Sequence, residues 1–402
     1  MSGFVLLAAI ISIGGPLIVS ADECPAGTPE REFRAAWVTA WSDGFLSPEQ
    51  ADETICLAVK ANLNAIIVQV RKAGDAYYNS AHEPRGDNIT GGADYDPLAY
   101  MIKKAHAAGL EVHAWVNAFR VWRSEGPASD PCHVTSKHPE WLTGTRTRKM
   151  SADDGKFLDP GVPGVKDYTA SVVADLLSKY DVDGIHLDYI RYPGRDFGYN
   201  PTSICRFNEY YGRTGRPKND DPDWCQWRRD QVTQTVRKIR YAIQATKPNV
   251  RLTVAAVSWG NCPSSFEQSS PYRLVYQDWA AWLKEGIVDA CIPMNYRDQQ
   301  NPEQAAQYRH WLDGMSRWRG NRHIYAGLMV GADVDAATQQ IKLAQDAGLD
   351  GVVSFAFNAA PWREKLADAL RADVFATPAS VPPMPWRLEQ AQVAAADDTK
   401  GG

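Results

Sequence analysis

The chain has 402 residues, with 43 Lys and Arg against 48 Asp and Glu, so it is long enough for one large core and slightly acidic. No basic block stands out, which argues against a nucleic-acid partner. Its 14 Trp and 17 Tyr residues are core material and, on a surface, platforms for sugar rings.

The first stretch, residues 4–21, is apolar, and Val19 and Ala21 are the small residues a signal peptidase would read. This predicts an exported chain, with residues 1–21 as signal peptide and residues 22–31 as an N-terminal segment. No small-residue box precedes Cys24, so no lipid anchor is expected. No other run approaches the length of a membrane span, so no membrane contact is expected beyond the export signal.

From Arg34 one unit recurs: an amphipathic helix, a short turn and a nearly continuous apolar strand. The strand RAAWVTAW opens the series. ADETICLAVKANLN then leads into AIIVQVR, PLAYMIKKAHAAGL into EVHAWVNAF, and TASVVADLLSKYDVD into GIHLDYI. QTVRKIRYAIQATKPNV precedes RLTVAAVSW, QDWAAWLKEGIV precedes DACIPMNY, and EQAAQYRHWLDGMSRWRGN precedes HIYAGLMV. AATQQIKLAQDAGLD precedes GVVSFAFN, and WREKLADALRADVF closes the series. Continuous apolar strands require cover on both faces, as in a parallel sheet wrapped by helices. Eight such units predict an α/β fold, a single-domain (β/α)8 TIM barrel over residues 32–375. Residues 376–402, rich in Pro, Ala and charge, are expected to trail as a disordered tail.

The seven cysteines suit an oxidising compartment. Cys205 and Cys225 flank a polar stretch that a disulfide could staple, Cys132 and Cys262 lie in loop-like sequence, and Cys56 and Cys291 read as buried free thiols. No spacing reads as a zinc site, and no cofactor is expected.

Chemistry in such barrels sits where the strands end. Read in order, those ends carry Trp41 and Asp43; Arg71 and Asp75, with Glu83 in the loop beyond; His113, Trp115, Asn117 and Arg120; His186, Asp188, Tyr189 and Arg191; Trp259; Asn295, Tyr296 and Asp298; and Asn358. Aromatic platforms beside carboxylates and amides suit a polysaccharide groove. Asp43, Asp75 and Asp298 read equally as turn or helix caps. His113 and His186 read equally as satisfied core histidines, and Arg71 or Arg191 as partners that hold Asp188 ionised.

The segments QVRKAGDAYYNSAHEPRGDNITG, YDPLAYMIKKAHAAGLEVHAWVNAFRV, VDGIHLDYIRYP, YQDWAAWLKEGIVDACIPMNY and DGVVSFAF, in this order, resemble glycosyl-hydrolase-like family 10 over residues 32–375. That family includes divisome-localised peptidoglycan glycosidases, and the resemblance implies a TIM barrel acting on a glycan outside the cytoplasm. VDGIHLDYIRYPG is also similar to the strand-four motif of family 18 chitinases, DGIDLDWEYPG. Ile190 stands where those enzymes carry their catalytic Glu, so their substrate-assisted mechanism does not carry over.

Hydrolysis of a glycosidic bond ordinarily uses a carboxylic acid that protonates the leaving oxygen and a carboxylate that acts as nucleophile or base. Asp188 is expected to be one of the pair, with Asp75 as partner and Glu83 next in line; which is the acid stays open. Trp41, Trp115, Tyr189 and Trp259 are the expected stacking platforms. Arg71, Arg120 and Arg191 would suit an acidic sugar such as muramic acid. Two other readings stand beside the hydrolase: a non-catalytic glycan-binding barrel, and a metal-dependent hydrolase of a sugar substituent using His113, His186 and Asp188.

Overall fold

In a computed structural model that describes residues 30–123, 128–330, 333–357 and 362–387, eight parallel strands close into a barrel. They are β1 (Phe33–Val38), β2 (Ala65–Arg71), β3 (Glu111–Asn117), β4 (Gly184–Asp188), β5 (Arg251–Ala256), β6 (Ala290–Pro293), β7 (His323–Met329) and β8 (Gly351–Phe355). Each pairs with its neighbours in sequence, and β8 pairs with β1 to close the ring. The outer helices are α1 (Pro48–Lys60), α2 (Pro97–Ala107), α3 (Pro163–Lys179), α4 (Pro222–Thr246), α5 (Trp279–Glu285), α6 (Pro302–Trp318), α7 (Val334–Asp346) and α8 (Arg363–Ala372). All the expected strands and helices are present.

Local chemistry sets the helix starts. Ser47, Asp96, Asp221 and Asn301 each accept a backbone N–H of the first turn, with a proline directly after them. A capping oxygen satisfies an orphan donor, and proline gives up an N–H that has no partner there.

The period of two along the strands divides the core. Phe33, Ala35 and Trp37 of β1 point into the barrel with Ile67, Trp115, Ile292, Tyr325 and Val353. Ala36 and Val38 point outward into the larger layer beneath the helices. The interior is stacked in layers. At the bottom, Phe33 stacks on Tyr325 at 4.4 Å and tilts against His113. Gly184 lies beside His113 because a Cβ there would come within 2.3 Å of the imidazole Nδ1. Above them sit Trp37, Trp115, His186 and Phe355.

Two insertions shape the mouth of the barrel. Between β3 and α3 the chain forms a short antiparallel pair, Arg120–Trp122 with Lys156–Phe157. Between β4 and α4 it adds a helix, Pro201–Tyr211.

The expected tail is corrected in part. Residues 376–387 lie under the barrel: Ala379–Ser380 pairs with Glu30–Arg31, and Trp386 is buried. Asp289 anchors this strap, accepting Trp386 Nε1 at 3.0 Å and Arg387 Nε at 3.0 Å, beside Arg240 at 3.0 Å. Two buried-face guanidiniums and an indole N–H satisfy a carboxylate that would otherwise be costly to bury. The signal-peptide expectation, and the tail from residue 388, lie outside the described residues. Among the described residues, no helix is long and apolar enough to cross a membrane.

Cys205 and Cys225 are free thiols, so the expected staple is absent, and Cys132 and Cys262 are free as well. Cys291 is buried as expected; Cys56 is exposed, because its position in α1 falls between the buried Ile55 and Leu57 on the solvent side.

Candidate active site

Asp188 is the last residue of β4 and lies at the mouth, 6% exposed. Tyr189 follows with φ +49°, a left-handed conformation that bulky residues avoid, and it breaks the strand there. The break is fixed from below by Ile190 and Tyr192, both buried. Tyr192 donates to Asp159, a fully buried carboxylate that also takes Thr143, Ser203 and the Gly161 N–H. That knot ties the β4 loop to both insertions.

The two hydrogen bonds to the Asp188 carboxylate both land on Oδ1, from Tyr189 N at 2.6 Å and Arg191 Nη1 at 3.2 Å. Oδ2 takes none among the described residues. Burial pushes the Asp188 pKa up; Arg191, the Tyr189 N–H and Arg120 pull it back without cancelling the shift. A carboxyl held above its usual range with one oxygen free is suited to donating a proton.

Tyr189 lies between two guanidiniums, Arg191 at 4.2 Å and Arg120 at 5.3 Å from its ring centre. Arg120 comes from the short pair after β3 and also faces Trp41, 5.1 Å from that ring. Trp41, 43% exposed, has Lys72 at 4.8 Å and Arg123 at 5.3 Å as well. A continuous ladder of alternating rings and cations therefore runs from Asp188 to Trp41. It opens on a cavity of about 370 Å³ lined by Trp41, Lys72, Asp75, Trp122, Arg123 and His133. Asp75 sits at its wall with Oδ1 taken by the N–H groups of Lys72 and Ala73, and Oδ2 3.6 Å from Lys72 Nζ.

On the opposite flank, Tyr296 stacks on Phe355 at 5.6 Å. Burial, with the charge of Asp188 adding, raises its phenol well above the ordinary value.

Several expected site residues sit elsewhere. Arg71 and Glu83 form a buried pair, with guanidinium Nε 2.8 Å from both carboxylate oxygens and Nη2 2.6 Å from Oε1. Their side chains are 1% and 0% exposed, and Tyr168 donates to the same Glu83 at 2.6 Å. Arg71 therefore pairs with Glu83 and not with Asp188, and neither faces open space. His113 belongs to the bottom layer, 3.1 Å from Glu111. His186 accepts from Trp37 Nε1 at 3.0 Å on Nε2, which leaves Nδ1–H to donate to Thr253 Oγ1 at 2.9 Å. Burial, with the charge of His113 adding, pushes it well below the usual imidazole range, so it is a neutral core histidine. Among the described residues no cluster of His, Cys, Asp or Glu could hold a metal, so His113, His186 and Asp188 do not converge.

Asn117 is a buried brace, accepting from Trp115 Nε1 at 2.9 Å and donating to the Lys72 carbonyl at 2.7 Å. Trp115 itself is 5% exposed and packs on His186 and Phe355 in the upper interior layer, so it is core and not a stacking platform. Asn295 donates to the Tyr308 carbonyl behind the strand. Asp43 accepts from the Gln50 side chain and Asp298 from the Gln300 N–H, so both serve turns. Trp259 lies in a second groove, of about 630 Å³, that none of the ladder residues lines. Asn358 lies outside the described residues.

Lys72, Arg123 and Asp154 are cluster residues that the sequence reading did not single out. Asp154 holds Arg120 through its carbonyl at 2.7 Å, and its charge acts on Tyr189. Lys72 directly follows β2 and was open to the strand-end rule; Arg123 and Asp154 come from an insertion without periodicity.

A sequence profile described as "Glycosyl hydrolase-like 10" matches residues 32–344. The chain is 30% identical over 411 residues to "Glycosyl hydrolase YngK" of Bacillus subtilis strain 168, covering 92% of this chain and 77% of that one. It is also 30% identical over 259 residues to "Glycosyl hydrolase DigH" of Escherichia coli K12, covering 59% of this chain and 55% of that one. Among solved structures, the PgaB (BpsB) glycoside hydrolase domain from Bordetella bronchiseptica superposes with a TM-score of 0.64 at 13% identity. That match spans 85% of this chain and 99% of the other, a likeness of fold.

Proposed function

The chain belongs to the glycosyl hydrolase-like 10 family, and on that premise we propose that it is an exported enzyme that cuts glycosidic bonds in peptidoglycan strands or a related carboxylate-bearing amino-sugar polymer. The observation that carries the reading is Asp188: a shielded carboxyl at the barrel mouth, its pKa raised, one oxygen free, at the inner end of the ladder that leads to the exposed Trp41. Asp188 donates the proton to the leaving oxygen. Asp75 is the second carboxylate, since Glu83 is consumed by Arg71 and Asp75 lines the cavity on which the ladder opens.

The ladder supports the substrate class. A sugar ring stacks on the exposed Trp41, while Arg120, Arg123 and Lys72 meet a lactyl or peptide carboxylate. The export reading rests on residues 4–21 and the small residues before Asp22.

The test is mass spectrometry of fragments released from intact peptidoglycan, peptide-stripped strands and chitin oligomers, comparing wild type with Asp75→Asn and Asp154→Asn. The reading requires release from a carboxylate-bearing polymer and its loss in Asp75→Asn. Loss in Asp154→Asn alone would transfer the second role to Asp154. Polymer binding without release would leave a glycan-binding barrel.

A further inference from the structure

In a ring of eight strands, β1 and β5 stand opposite each other. Each is followed by a tryptophan that is 43% exposed, Trp41 after β1 and Trp259 after β5, with Asp188 of β4 on the rim between them. A half-exposed indole offers a flat face on which a sugar ring can stack. The Trp259 loop is held firmly: Arg297 donates to the carbonyls of Ser258 at 2.6 Å and Gly260 at 3.0 Å, and Trp311 donates to Gly260 at 2.8 Å.

The groove beside Trp259, of about 630 Å³, gathers Arg195, Arg229 and Arg273. None of these three forms an ion pair among the described residues. Arg229 is 8% exposed, lies 3.9 Å over the Tyr272 ring and bonds only neutral oxygens, Gln226 Oε1 and the Tyr272 carbonyl. A shielded guanidinium with no carboxylate in ion-pair contact, Asp278 acting on it only from a distance, leaves room for an anion in the groove. The acids on its lining, Asp220 and Glu267, are exposed to solvent.

We propose that this groove is a distal subsite of the same cleft: the glycan strand crosses the whole mouth from Trp41 to Trp259, stacks a ring on Trp259 and places a sugar carboxylate among the three arginines. The proposal rests on the functional reading above and adds that the enzyme needs a long, anionic strand.

The test uses the full chain in an Asp188→Asn background, which keeps the polymer intact, with calorimetric binding of carboxylate-bearing glycan tetrasaccharides and octasaccharides and of the uncharged chitin equivalents. The charged octasaccharide is expected to bind about tenfold tighter than the tetrasaccharide. Trp259→Ala should abolish that gain, and Arg273→Gln, at an exposed position, should reduce it with an unchanged melting temperature. An undiminished gain in Trp259→Ala overturns the subsite, and an equal gain for uncharged chitin overturns the anion assignment. The functional reading fails separately, if wild type releases no fragments from these strands while the length-dependent gain persists.

Discussion

Glu83 is the acid whose role the structure changes most, and replacing it separates two accounts of the protein. Its side chain is fully buried, meets Arg71 with both oxygens and accepts from Tyr168. Glu83→Gln keeps the shape and removes the charge, leaving the Arg71 guanidinium, 1% exposed, with neutral acceptors alone: the new amide oxygen and the Asn117 and Ala118 carbonyls. Removing one partner of a buried pair costs about 3–5 kcal/mol, because the other charge stays buried. With an unfolding entropy of about 2 cal/mol/K per residue, a barrel of this size should melt roughly 4–7 °C lower. Thermal melts followed by circular dichroism read this directly. In Arg71→Met/Glu83→Gln the isolated charge is gone, so part of the loss should return. A Glu83→Gln protein that melts with the wild type yet releases no glycan fragments would make Glu83 a reacting group and not the partner of a buried pair.

Other substitutions carry signs fixed by the same structure. Asp188 has a raised pKa in the fold, so its contribution to stability is complete below the ordinary carboxylate pKa and is lost as pH rises through the folded value. Asp188→Asn should therefore melt above wild type at neutral pH, with the gap closing on acidification; a gap that widens toward low pH would contradict the burial argument. Because the proton donor must be protonated, wild-type kcat/KM should fall as pH rises through that same raised value, read from a pH–rate profile. Trp386→Ala empties a buried site under the barrel and strips an N–H from Asp289, a loss of about 3 kcal/mol that a lowered urea midpoint would show. His186 uses both ring nitrogens in the core, so dialysis against a chelator should leave glycan release unchanged; its loss, restored by a divalent ion, would revive the metal reading.

The barrel was legible because buried parallel strands write themselves as uninterrupted apolar runs between amphipathic helices. What the runs do not encode is depth along the barrel axis. His113 and His186 both alternate inward, yet His113 lies at the floor against Phe33, and His186 one layer below Asp188. Partners were equally hidden: an arginine after β2 could meet any acid, and only folding shows that it takes Glu83 from the following loop. Asp188, Tyr189, Arg191, Trp41 and Arg120 were legible because the strand-end rule applies to them directly. Arg123 and Asp154 escaped, since their insertion has no periodicity. The strap was missed for a different reason. Averaged over residues 376–402 the composition is that of a disordered tail, while two adjacent residues, Trp386 and Arg387, dock it.

Catalysis as proposed turns on Asp188, and it is tested by the rate of reducing-end release from peptide-stripped glycan strands by Asp188→Asn beside wild type, each well below its melting temperature. Loss of a general acid predicts a rate lower by roughly 10²–10⁴-fold with polymer binding retained. A rate within about tenfold of wild type would contradict the account, because a residue contributing so little to the barrier, about 1.4 kcal/mol, is not the proton donor.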